Sequence, residues 1–158
     1  MLSKKTKYAF HALTFLGKQP NNIPVVISEI ANRTKLPKKF LETILLDLKK
    51  SGILGSKMGK GGGYYLIKQT KDISLAEIIR MFNGPIALLP CASLNYYEPC
   101  EECEDEAQCG LNKMLLKVRE ETLKILVNKT LFDIISAIKT IDYIYLSKII
   151  RAIRSIST

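Results

Sequence analysis

Four cysteines, the only ones in a chain of 158 residues, fall inside the stretch CASLNYYEPCEECEDEAQC, from Cys91 to Cys109. Cys100 and Cys103 form a C-x-x-C pair, a spacing that lets two thiolates reach one metal. Ligation by four thiolates suits an iron-sulfur cluster and zinc alike, so residue types alone leave the two open. Without a metal the same cysteines make a thiol switch. The stretch holds six acidic residues and no Lys or Arg. Nearby negative charge disfavours thiolates, which argues against spontaneously reactive thiols here.

Clustered cysteines belong to a reducing compartment. The N-terminus, MLSKKTKYAF, has no uninterrupted apolar block and no small-residue cleavage site, so the expectation is a cytoplasmic protein. No run of about eighteen apolar residues suggests a membrane span. At 47% hydrophobic the chain can bury a core, and its length suits one ordinary domain, or a small domain plus an accessory segment that packs against another subunit. His11 is the only histidine, and no nucleophile and base can be placed in roles, which excludes ordinary acid-base or nucleophilic enzymes. Charge is segregated: up to Pro90 there are 15 basic and 5 acidic residues, against six acids in the cysteine stretch. The first part attracts a polyanion, and the second should point away from it.

The elements around the cysteines follow from periodicity. Lys4 to Gly17 reads as a helix with Ser3 as its cap and Gly17 as its stop. In VVISEIANRTKLPKKFLETILLDLKKSGIL, two helices are separated by a short break. Ile27, Ile30 and Ala31 form the inner face of the first. The second starts at Pro37, runs to Lys50 and turns Leu41, Ile44, Leu45 and Leu48 inward. Lysines gather at its start, the sequence form of a helix-turn-helix. Ile53 to Ser56 and Tyr64 to Ile67 then pair as a hairpin across a glycine-rich tip, which makes a wing. A phosphate-binding glycine loop would need a helix after the glycines, and a strand-like segment follows instead. Ser74 and Glu77 form a capping box for a helix stopped by Gly84 and Pro85. From Leu111 to Val127, Met114, Leu115, Val118, Leu123, Ile125 and Leu126 build an apolar face that needs a partner helix, so the expectation is a homodimer. Thr130 and Asp133 suit the start of another short helix.

These residues together carry a resemblance. TKYAFHAL, FLETILLDLKKSGIL, GKGGGYYL and SLAEIIRMFNGPI, followed by cysteines and a long helix, resemble the Rrf-type winged helix-turn-helix transcriptional regulators, the family of IscR, NsrR and CymR. The likeness covers roughly Met1 to Asp133. It implies a fold that is mainly α with a small β wing, a winged helix-turn-helix domain plus a long dimerisation helix. Its activity would be that of a homodimer on a double-stranded DNA operator, usually as a repressor, with iron-sulfur, redox or nitric-oxide sensing through the cysteine loop. The division expected is a DNA-binding domain over 1–85, a sensor loop over 86–112, a dimerisation helix region over 113–138 and a tail over 139–158 without assigned role.

Carried over residue by residue, the resemblance puts Pro37, Lys38, Lys39, Phe40 and Glu42 at the DNA end of the recognition helix, with Lys57 and Lys60 on the wing. The lysines suit phosphates, and Glu42 suits a cytosine amino group. Phe40 fits the core equally well, and Glu42 an intrahelical pair with Lys38 or Lys39. Where some relatives carry a minor-groove arginine before the first wing glycine, this chain has Met58. Cys103 and Cys109 match the last two of three family cysteines, Cys91 lies near the first, and Cys100 is extra. The metal-ligand set expected is Cys91, Cys100, Cys103 and Cys109. Asn112 stands where a ligand histidine occurs in some relatives. His11 matches a position from which the other subunit can complete a cluster, though a partly buried structural histidine explains it as well. The competing reading is a cofactor-free or zinc-stabilised regulator that responds to a partner protein or to thiol oxidation.

Overall fold

The computed structural model describes residues 2–20 and 22–138. Helix α1 spans Lys4–Gly17, α2 Ile27–Thr34 and α3 Lys38–Lys50. Strands β1 (Leu54–Lys57) and β2 (Gly63–Leu66) follow, then α4 (Leu75–Asn83) and α5 (Gly110–Asn128). A sixth helix, α6, is described over residues 131–138. The fold is mainly α with a small two-stranded wing, as the sequence predicts. Among the described residues no helix is long and apolar enough to cross a membrane. The tail over 139–158 lies outside the described residues.

Ser3 starts α1 as predicted: its Oγ accepts from the Thr6 amide at 3.1 Å, and its own amide donates to Asn83 Oδ1 at 2.7 Å, tying the chain start to the end of α4. Gly17 is the last residue of α1, and its role differs from a stop. A Cβ there would sit 2.7 Å from Ile135 Cδ1, so glycine lets α6 pack directly against the end of α1.

Between α2 and α3 the chain turns through Lys35 at φ 56°, and the Leu36 amide bonds back to the Ala31 carbonyl at 3.1 Å. Pro37 is the N-cap of α3 rather than its first residue: its ψ of 122° keeps it extended, while its carbonyl accepts from the Leu41 amide at 3.1 Å. All four predicted inward residues, Leu41, Ile44, Leu45 and Leu48, are fully buried. With Leu13, Ile30, Ile53, Ile73 and Ile78 they form the core, each contributing about 1.5–3 kcal/mol through burial.

The wing pairs Leu54 with Leu66 and Lys57 with Gly63, its first strand one residue later and its second one residue earlier than the sequence predicts. The Ile53 carbonyl still receives the Ile67 amide at 3.0 Å. Gly59 and Gly61, at φ 88° and 78°, supply the left-handed backbone of the tip. Val25 and Tyr64 exchange two backbone bonds of 2.9 Å, which fastens the segment before α2 to the wing.

Ser74 Oγ accepts from the Glu77 amide at 3.1 Å, one half of the predicted capping box. The other half is replaced by a 2.8 Å bridge from Glu77 to Lys68 Nζ. Gly84, at φ 83°, ends α4. Past α5 the chain returns to the core. The Leu75 amide bonds the Lys129 carbonyl at 2.8 Å, the Leu131 amide bonds the Ile73 carbonyl at 2.9 Å, and Leu131 and Ile135 are buried among the N-terminal helices. Thr130 and Asp133 open α6 as the sequence suggests, the Asp133 carboxylate accepting from the Thr130 amide at 2.9 Å and hydroxyl at 2.8 Å.

Candidate DNA interface and cysteine loop

The first turn of α3 combines two lysines with free backbone amides, and a helix N-terminus already favours negative charge. Lys38, Lys39, Phe40 and Glu42 are all exposed, because Leu41 takes the single inward position of this turn. Phe40 is 63% exposed and meets only the edge of Tyr8, at 6.5 Å between ring centroids, so it is not a core residue. Glu42 makes no ion pair with Lys38 or Lys39. On the wing, Lys57 and Lys60 are exposed on either side of Met58, itself 94% exposed. None of these four lysines has an acidic partner among the described residues. The acid of α3 that is paired is Asp47, which bonds Lys5 Nζ at 2.8 Å and so fixes α3 against α1.

The cysteine loop is held at both ends by α5. Cys91 is buried in a 3-10 turn over Pro90–Ala92. Asn112, also buried, donates from Nδ2 to the Cys91 carbonyl at 3.2 Å, and Arg119 donates from Nη1 to the Ala92 carbonyl at 2.8 Å. At the other end Cys109 is the N-cap of α5, its Sγ accepting from the Asn112 amide at 3.4 Å. Asn112 therefore ties the first cysteine to the last. Between them Glu106 organises the middle: Oε2 accepts from the Tyr97 hydroxyl at 2.8 Å and Oε1 from the Cys100 amide at 2.7 Å. That bond to Glu106 holds the Tyr97 hydroxyl above its ordinary pKa. Asp105 caps a second 3-10 turn over Glu106–Gln108, accepting from the Ala107 amide at 2.8 Å.

Sequence reasoning missed Glu106, Asn112 and Arg119 as organisers. Glu106 was one of six equivalent acids, and only the N-cap position of Cys109 singles out Asn112.

The thiols differ from one another. Cys103 lies between Cys100 and Cys109, and hydrogen bonding to Cys100 first and Cys109 second pushes its pKa up to about 12. Its shift has the sign expected from the sequence, but neighbouring thiols cause it, not carboxylates. Cys109 departs from the expectation: the Asn112 amide at the start of α5 lowers its pKa, and the Glu106 charge is too weak an opponent to reverse that.

Cys100 and Cys109 are near enough to Cys103 to shift its pKa, and thiolates are the ligands that zinc and iron-sulfur clusters take. Cys100, Cys103 and Cys109 thus suit a thiolate site in chemistry. Among the described residues, however, no three His, Cys, Asp or Glu side chains converge as a finished metal cage, and Cys91 does not act on Cys103. His11 is exposed on α1, in a groove with Phe10, Phe15, Arg33 and Ile134 that contains none of the cysteines.

Comparison with known proteins agrees with this architecture. The Rrf2 family, described as iron-dependent transcriptional regulators, matches residues 2–137. The rrf2-like HTH-type protein of Rhodobacter capsulatus is 42% identical over 140 residues, 87% of this chain and 93% of that one. The HTH-type transcriptional regulator CymR of Bacillus subtilis is 27% identical, over 85% of this chain and 89% of its own. The structure of B. subtilis CymR, the global cysteine regulator, superposes with a TM-score of 0.70 at 26% identity, covering 87% of this chain and 97% of CymR. T. potens IscR gives a TM-score of 0.66 at 25% identity, with 87% of each chain covered. With the wing, the helix-turn-helix and the cysteine loop all inside the matched residues, the chain belongs to the Rrf2 family of transcriptional regulators and is not an enzyme.

Proposed function

We propose that this regulator is a cytoplasmic homodimer that binds a double-stranded DNA operator, acts as a repressor, and senses iron-sulfur, redox or nitric-oxide status through the loop from Cys91 to Cys109. One observation carries the DNA reading: the exposed, unpaired cations at the start of α3 and on the wing, Lys38, Lys39, Lys57 and Lys60, in a part of the chain with 15 basic and 5 acidic residues. Phe40 and Glu42, exposed beside them, are the base-reading candidates. Cys100, Cys103 and Cys109, with Cys91 as fourth ligand, would hold an iron-sulfur cluster or zinc. A bound cluster supplies one-electron redox chemistry and reactivity toward nitric oxide. The chain's own contribution is to tie Cys91 and Cys109 to α5 through Asn112, with Arg119 holding the turn at Ala92.

A second reading, thiol oxidation without metal, is favoured by the contact of Cys103 with Cys100 and Cys109 in the absence of a finished cage.

Visible absorption of anaerobically purified protein separates the readings. Brown protein supports a cluster, while colourless protein with one zinc, or with none, supports the alternatives. Operator preference over random DNA is then compared for the as-isolated protein, chelated apo-protein and a Cys103→Ala, Cys109→Ala variant. Equal preference in all three removes the sensing role of the loop. Lys38→Ala should weaken binding to all sequences and reduce the log-log salt slope by about 0.9, whereas Glu42→Ala should relax discrimination at one or two base pairs.

A further inference from the structure

Where α4 and α5 meet under the cysteine loop, Arg80 and Arg119 line one cleft of about 100 Å³ together with Ser93, Asn95 and Tyr96. Two arginines share this small cleft with the apolar Pro85, Ile86, Leu94 and Leu123, and none of its lining residues is acidic. The Arg119 side chain is only 11% exposed. Its Nη1 donates to the Ala92 carbonyl, its Nη2 stands 3.6 Å from an exposed Glu120 carboxylate, and its Nε is buried with no partner. Arg80 joins no ion pair among the described residues, and its guanidinium donates no hydrogen bond there. Ser93 is buried, and its Oγ accepts from the Tyr96 amide at 3.1 Å, which leaves the hydroxyl proton free to donate.

A buried guanidinium N–H without an acceptor destabilises the fold, and two like charges at one cleft add to that. An oxyanion in the cleft answers the second of these, whereas Arg119 Nε is closed to a water-sized group and lies out of its reach. Arginine forks match oxyanions in geometry and charge, and a hydroxyl donor completes the set. The volume equals about three waters, which fits a compact oxyanion and excludes a nucleotide.

We propose that this cleft is a binding site for a small oxyanion of the phosphate and sulfate class, held by Arg80, Arg119 and Ser93. Its occupant links α4, the last helix of the DNA-binding unit, to α5. It is separate from the DNA contacts and from the four thiols.

The test is titration of inorganic phosphate into the reduced full-length protein, with chloride withdrawn to hold ionic strength constant. The readouts are the thermal midpoint and the phosphorus resonance line width. The cationic face of α3 and the wing also attracts phosphate, so a Lys38→Ala, Lys57→Ala variant is titrated in parallel. Phosphate should raise the midpoint of the wild type and of the lysine variant alike. Arg80→Gln, at an exposed position that the fold does not need, should weaken the effect at least tenfold, and Ser93→Ala should weaken it too. A shift that survives in Arg80→Gln, or disappears in the lysine variant, places phosphate on the DNA face and overturns the proposal. No shift in any form also overturns it, leaving the cleft to water or to a carboxylate of a second copy.

Discussion

Cys103 and Cys109 stand in contact, yet their surroundings drive them in opposite directions. Thiol neighbours keep Cys103 protonated up to about pH 12. Backbone amides at the start of α5 favour the Cys109 thiolate below the ordinary value of 9.0. The linkage signs differ accordingly. The lowered pKa of Cys109 adds stability above its unfolded value, which is lost as pH falls through the folded one. The raised pKa of Cys103 adds stability below its unfolded value, which is lost as pH rises through about 12. Because the thiolate is the nucleophile, iodoacetamide applied to reduced, metal-free protein between neutral pH and pH ~9 should label Cys109 well before Cys103. Mass spectrometry of time points checks the order, and equal rates would show that the cap does not act on the sulfur. The sequence displayed the cysteines and their acidic setting. It could not display which amide faces which sulfur, because that depends on where α5 begins.

Among the elements, those defined by local rules were legible: the Ser3 and Ser74 caps, the inward face of α3, and the stop at Gly84. Boundaries set by hydrogen bonding moved by one residue, as at Pro37, where an extended ψ turns a first helical residue into a cap. Gly17 was legible as a glycine but not for its reason, since its neighbour Ile135 is remote in sequence. Likewise nothing local revealed that α6 returns to the core of the N-terminal helices. Leu131 is 1% exposed in that core. Leu131→Ala should therefore cost about 2–5 kcal/mol, a core penalty rather than a surface one. Urea unfolding of the full chain measures it. A loss below about 0.5 kcal/mol, the size of a surface substitution, would mean that α6 does not belong to this core in solution.

At the scale of the whole molecule, α5 presents an apolar stripe that the protomer leaves uncovered. Leu111, Met114, Val118 and Ile125 are 60, 63, 48 and 62% exposed. Their spacing of three, four and seven residues is that of a helix-helix seam. A second α5 is the occupant that the proposed function requires. Met114→Glu with Val118→Glu places four like charges across such a seam and should convert the dimer to monomers while leaving helix content intact. Sedimentation or light scattering decides the assembly state and circular dichroism the fold. A variant that stays dimeric relocates the interface. Operator binding should fall with dimerisation, since one half-site holds far less tightly than two.

The return of α6 to the N-terminal core also sets the timing of synthesis. The helix-turn-helix and wing emerge from the ribosome early, but the core that holds them lacks Leu131 and Ile135 until the cysteine loop and α5 have been made. At about 5–20 residues per second, that interval lasts seconds. A nascent chain therefore completes the core beneath its helix-turn-helix and wing only after the cysteine loop and α5 have been made.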